Sequence, residues 1–98
     1  MNVIRHVGIG GRVQGVGYRA WTEYTARDHG LEGWVRNRRD GSVEAVFAGS
    51  SEVVEAMIAA CRRGPRGAQV ESIDELPASP ELLASRHSGE RFSVLSTL

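Results

Sequence analysis

The sequence contains no lysine, a single cysteine, three prolines and no excess of either charge. Each shortage removes a class of function. With Cys61 alone there is neither an internal disulfide nor a cysteine-based metal cluster, a usage that fits a reducing, cytoplasmic setting. Twelve basic residues, all arginine, balance twelve acidic ones, so net charge draws the chain neither to nucleic acid nor to an anionic membrane. Any anion recognition has to be local. No run approaches the roughly 20 apolar residues that cross a bilayer, and Met1 to Arg12 lacks the apolar stretch of a signal peptide. His6, His29 and His87 fall on a strand, near a helix end and in a loop, with no spacing that gathers them around a metal. No cofactor is expected.

What is there suffices for one core. At 98 residues, 41% hydrophobic and 24% charged, the chain has the composition of an ordinary globular protein and the length of one domain, 1–98. A monomer is expected. Val3, Val7 and Ile9 on alternate positions predict a first strand over 3–10. Glycines then crowd the chain from Gly8 to Gly17, after which Tyr18, Trp21, Tyr24 and Thr25 are spaced three and four apart, predicting a helix over 18–29 with Gly30 as its left-handed terminator. Two strands, 32–38 and 42–48, flank Asp40-Gly41, a dipeptide suited to a hairpin turn. In the second, Val43, Ala45 and Phe47 share one face while Glu44 shares the other with Val46, so only one side reads as consistently buried.

Ser50 or Ser51 is placed to cap a second helix, whose apolar stripe is Val54, Met57, Ile58 and Cys61 and whose end is marked by Arg62, Arg63 and Gly64-Pro65. Weaker strands follow at 68–75 and 91–95. Between them, Pro77, Ser79, Pro80, Ser85, Ser88 and Gly89 predict an exposed connection with one helical turn at 81–84. The order β-α-β-β-α-β-β points to an α+β, ferredoxin-like split βαβ sandwich: an antiparallel sheet with both helices on one face.

The chemistry concentrates where the first strand meets the first helix, in Gly11-Arg12-Val13-Gln14-Gly15-Val16-Gly17-Tyr18-Arg19. Glycines let successive N–H groups turn into one concavity, and a helix N-terminus adds unpaired N–H groups and the positive end of its dipole. Such a cradle suits phosphate. Arg19, in the first helical turn, is disfavoured by that dipole by about 0.3–1 kcal/mol unless an anion shares the site, where a guanidinium grips two oxygens. Asn37, beside the hairpin turn, is on its own a turn-former. Next to a phosphate cradle, its neutral amide could instead orient a water. The loop has no Gly-Lys-Ser/Thr ending, and its G-x-G-x-x-A match lacks the acidic partner of a dinucleotide site.

The Gly11 to Arg19 run resembles the acylphosphatase signature, and Gly30-Leu31-Glu32-Gly33-Trp34-Val35-Arg36-Asn37 with Asp40-Gly41-Ser42-Val43-Glu44 is similar to that family's second block. The likeness covers about residues 3–75, with Gly64-Pro65 and Phe92 also family-like. It implies a sheet ordered 4-3-1-2-5 and hydrolysis of acyl phosphates to carboxylate and inorganic phosphate. It also implies substrate phosphate held by Gln14, Gly15, Val16, Gly17, Tyr18 and Arg19, and catalysis by Arg19 and Asn37. Inorganic phosphate is then both product and inhibitor. Two other classes share the fold plan: a non-catalytic phosphate- or carbamoyl-phosphate-binding domain, and an RNA-binding module using Trp34, Arg36, Arg38 and Arg39. The strand Ser42 to Phe47 lacks the paired aromatics such modules use.

Overall fold

A computed structural model describes residues 1–98. The chain runs β1 (Asn2–Arg12), α1 (Tyr18–Asp28), β2 (Glu32–Asn37), β3 (Val43–Ser50), α2 (Ser51–Arg63), β4 (Gln69–Leu76), a 3-10 helix (Pro80–Ser85) and β5 (Phe92–Val94). Every segment expected from periodicity is present. Gly30 terminates α1 in the left-handed region (φ 71), and the next N–H, of buried Leu31, closes back on the carbonyl of Ala26 at 2.9 Å. Ser50 caps α2, its hydroxyl accepting from the Val53 N–H at 3.4 Å.

The strand order is 4-1-3-2-5, which corrects the expected 4-3-1-2-5 by exchanging β1 and β3. The physical reason is the short hairpin. Only five residues separate β2 from β3, so they must be antiparallel neighbours, and Trp34 pairs with Val46. The order 4-3-1-2-5 would have put β1 between them. β1 instead lies between β3 and β4, paired antiparallel with both. The sheet is also mixed and not wholly antiparallel, since β5 runs parallel to β2.

Both helices cover one face. Val7, Ile9, Val35, Val43, Ala45 and Phe47 from the strands meet Val54, Met57, Ile58 and Cys61 of α2, the stripe expected there, and Phe47 stacks on Phe92 of β5. Each Val, Ile, Met or Phe among them contributes roughly 1.5–3 kcal/mol relative to remaining in water. In α1 the buried stripe is Tyr18, Thr22 and Ala26, whereas Tyr24 is 74% exposed, so the largest aromatic spacing did not mark the buried face. Positions four apart set that stripe, and Thr22 fits it because its hydroxyl donates to the Tyr18 carbonyl at 2.8 Å.

The opposite face is covered as well, against expectation. The connection after β4 folds back as the 3-10 helix, and Leu82 and Leu83 pack against Trp34, Val46 and Leu95. Trp34 Nε1 donates to the Leu82 carbonyl at 2.7 Å. Beneath this cover Glu44 is buried, with Oε2 2.6 Å from His6 Nε2 and Oε1 accepting from Arg38 Nη1 at 3.0 Å. His6 Nδ1 lies 2.9 Å from the Pro77 carbonyl. A carboxylate buried with two partners costs far less than one left alone, so β3 is buried on both faces despite its glutamate.

Candidate functional site

Where β1 ends, the chain turns sharply through Gly15 and Gly17, both left-handed at φ 75 and 78. A Cβ at either would meet nothing within 4 Å, so it is the backbone angle, not space, that calls for glycine. Gly17 is the N-cap of α1, with no side-chain cap and no acidic residue in the first turn. The first helical bond runs from the Trp21 N–H to the Gly17 carbonyl at 3.0 Å, leaving the N–H groups of Tyr18, Arg19 and Ala20 without partners inside the helix. The positive end of the helix is therefore open to an anion. Tyr18 anchors it from below: its buried hydroxyl donates to the Cys61 carbonyl at 2.6 Å, and burial pushes its phenol above the ordinary range. Burial likewise pushes the Cys61 thiol up to about 12, which leaves it inert at neutral pH.

The loop, the start of α1 and the end of β2 enclose a cavity of about 470 Å3 that contains Gln14, Gly15, Gly17, Tyr18, Arg19 and Asn37. A wider groove of about 600 Å3 lies between the start of β1 and the 3-10 helix and shares none of these residues. Five arginines are half-buried: Arg5, Arg19, Arg36, Arg38 and Arg86. Arg5 pairs with Glu55 and Glu75, Arg36 donates to the Ser96 carbonyl, Arg38 pairs with Glu44 and Arg86 with Glu32. Arg19 alone has no partner. In the same cavity Asn37 Oδ1 is the buried side-chain oxygen that no donor reaches. Buried polar groups are nearly always satisfied, so the unmet Asn37 oxygen stands out, and it belongs to a residue that lines the same cavity as the unpaired Arg19.

Asn37 does not build the turn. The hairpin is closed by the Arg38 N–H donating to the Ser42 carbonyl at 2.9 Å and by Asp40 Oδ1, which accepts from the Ser42 N–H at 2.9 Å and hydroxyl at 2.6 Å. These two bonds hold the Asp40 carboxyl below its usual value. Asn37 is fixed by its main chain, whose carbonyl accepts from the Leu98 N–H at 3.2 Å. The Gln14 side chain is turned away from the cradle onto the hairpin, donating to the carbonyls of Arg38 and Ser42, each at 2.8 Å.

Four lining residues lie outside the expected set: Val13 and Ala20 adjoin the loop in sequence, whereas Glu23 and Val94 do not. Glu23 stands one turn beyond Arg19 and is paired with Arg27 at 3.3 Å, and its i+4 spacing from Arg19 could have signalled it. Val94 arrives from β5, and no local pattern connects it to the loop. Trp34, the aromatic an RNA-binding module would present, is 2% exposed and unavailable for stacking on a base. No group of three His, Cys, Asp or Glu side chains is arranged to hold a metal ion. No helix is long and apolar enough to cross a membrane.

A family model described as acylphosphatase matches residues 5–88. An acylphosphatase of Rhodopseudomonas palustris is 62% identical over 96 residues, which is 98% of this chain and 97% of that one. One from Bradyrhizobium diazoefficiens is 58% identical over 95 residues, covering 97% and 96%. Among solved structures, the crystal structure of acylphosphatase from Bacillus subtilis superposes with a TM-score of 0.80 at 30% identity, covering 97% of this chain and 99% of that one.

Proposed function

The chain belongs to the acylphosphatase family and hydrolyses acyl phosphates, and we propose that Arg19 and Asn37 carry the reaction. In this reading the phosphoryl group lies in the loop from Gln14 to Arg19. Main-chain N–H groups of Gly15, Val16, Gly17, Tyr18 and Arg19 meet its oxygens, and the Arg19 guanidinium grips two of them. Asn37 Oδ1 accepts one hydrogen of a water and thereby turns a lone pair toward phosphorus. The new P–O bond forms in line as the bond to the carboxylate oxygen breaks. The carboxylate leaves with the bonding pair, and the water's other proton passes to solvent or to the phosphate produced. Because a carboxylate leaves readily, positioning and charge neutralisation suffice without a strong base.

The single observation that supports this reading is that one cavity is lined both by Arg19, a half-buried cation with no partner, and by Asn37, whose side-chain oxygen has no donor. The cavity offers few contacts for the acyl part beyond Glu23 and Val94, so selectivity for that part is loose and inorganic phosphate competes for the cradle. We further take residues 1–98 as a single domain that acts as a cytoplasmic monomer on a small-molecule substrate, without nucleic acid, membrane or cofactor. The test is turnover of benzoyl phosphate before and after treatment with a chelator. Equal rates are expected; activity that disappears with the chelator and returns with a divalent metal would overturn the mechanism.

A further inference from the structure

The two halves of the site stand on strands that do not touch. The cradle follows β1 and Asn37 ends β2, with β3 between them in the sheet. The β1–β3 ladder stops at Ile9 and Val43, and beyond it Gly10, Gly11 and Arg12 pair only with β4 on the far side. The ladders join Asn37 to β1 only through Val43, which pairs with both Ile9 and Asn37, and none reaches the cradle residues to set their distance from Asn37. That is the dimension an in-line attack depends on, since reacting atoms must approach to about 3–3.5 Å in the right direction.

One side chain spans the gap. Gln14, the residue just before Gly15, places both hydrogens of its amide on the hairpin, one on the Arg38 carbonyl and one on the Ser42 carbonyl, each at 2.8 Å. These acceptors flank the turn at its two ends, so the hairpin is held at two points and cannot pivot about one. The hairpin does not need Gln14 to form, because its own bonds, Arg38 N–H to Ser42 at 2.9 Å and Gly41 N–H to Arg38 at 3.1 Å, close it. What the amide adds is placement.

We propose that Gln14 is a positioning residue that sets where Asn37 stands relative to the bound phosphoryl group, acting through the Arg38 and Ser42 carbonyls and not through its side chain on phosphate. This rests on the water-orienting role of Asn37 proposed above. The residue's conformity to a phosphate-loop pattern hides the role, because Gln14 sits in the loop while its side-chain amide is spent on the hairpin.

The decisive variant is Gln14→Met, which keeps length, bulk and neutrality but has no donor. The expected result is a fall in kcat of about 10- to 100-fold, the scale of a displaced reacting group, while KM and the inhibition constant of inorganic phosphate move less than about 3-fold. Combined with Asn37→Ala, Gln14→Met should lower kcat less than about 3-fold further, because the group it positions is gone. Full turnover in Gln14→Met, an effect fully additive with Asn37→Ala, or a loss confined to phosphate affinity would each overturn the proposal. An Asn37→Ala enzyme that keeps its turnover would instead remove the reading beneath it, and the clamp with it. Should Gln14→Met fold poorly, NMR of the unaltered protein decides. The Gln14 side-chain amide is expected to exchange slowly and show contacts to the 38–42 turn, and a freely averaging amide would overturn the proposal.

Discussion

Two polar clusters sit at opposite sides of this small sheet, and they are built on opposite rules. Around Glu44, both carboxylate oxygens and both ring nitrogens of His6 have a partner: His6 and Arg38 share the two oxygens, and the second His6 nitrogen meets the Pro77 carbonyl. In the cavity at the start of α1, the half-buried Arg19 has no partner and Asn37 Oδ1 is left unsatisfied. The first cluster serves the fold and the second waits for a substrate. Composition does not separate them, since each contains an arginine beside another polar side chain. Satisfaction does: a completed network adds to stability, whereas an incomplete one gives some up so that binding can supply the missing bonds.

The comparison is broken most severely at Arg19. Arg19→Ala removes contacts made to bound phosphate and to the transition state alike, so KM should rise, kcat should fall, and kcat/KM should drop at least about 10³-fold, roughly 4 kcal/mol. With no protein partner to lose, its thermal midpoint should stay within about 2 °C of the parent. Steady-state kinetics and calorimetry on one preparation check both halves; a large loss of stability would place Arg19 in the first kind of cluster. Asn37→Ala should lower kcat about 10²-fold with KM little changed, the loss expected for a misplaced water. Its midpoint should hold or rise, because an unsatisfied buried oxygen is removed. An Asn37→Ala protein that is folded and still turns over normally would return the asparagine to a purely structural role.

Glu44→Ala probes the other cluster and should invert the pattern. It leaves the buried His6 ring and the half-exposed Arg38 head without their acceptor, at a cost of about 2 kcal/mol once Arg38's exposure is allowed for. Turnover per folded molecule should change less than about 3-fold. Urea denaturation followed by kinetics below the transition would settle which property moved, and a loss of kcat without a loss of stability would erase the distinction between the clusters.

How much of this is legible in the sequence divides along the same line. The helix-covered face is an alternation of Val, Ile and Phe against the stripe Val54, Met57, Ile58 and Cys61, and periodicity alone finds it. The loop with Gly15, Gly17 and Arg19 is equally local, so its chemistry is written within a few positions. The back face is not local. Glu44 reads as a solvent-facing residue because the groups that satisfy it lie 38 residues before it at His6 and 6 before it at Arg38, while the cover over it comes from residues after Pro77. The exchange of β1 and β3 in the sheet order follows from the hairpin, which the sequence does announce at Asp40-Gly41. Gln14 shows the same limit in a single residue: its main chain was readable as part of the loop, and its amide's engagement 24 and 28 residues away was not.

The smallest expected effect concerns a third arrangement, satisfied yet fully exposed. Asp40 accepts from the Ser42 hydroxyl and N–H, which hold its carboxyl below the ordinary value of 3.8, and it takes no part in the site. A carboxyl depressed in the folded state contributes its stability above the unfolded value and loses it as pH falls through the lower folded one. Asp40→Asn keeps the oxygen acceptor and removes only the charge. The parent should therefore be slightly more stable at neutral pH, and the two midpoints should converge as pH falls below 3.8, with turnover equal throughout. Paired thermal scans across that acid range measure it. A gap that stays constant with pH would mean the Asp40 charge is not what the Ser42 bonds stabilise, and that exposed groups in this hairpin follow neither rule.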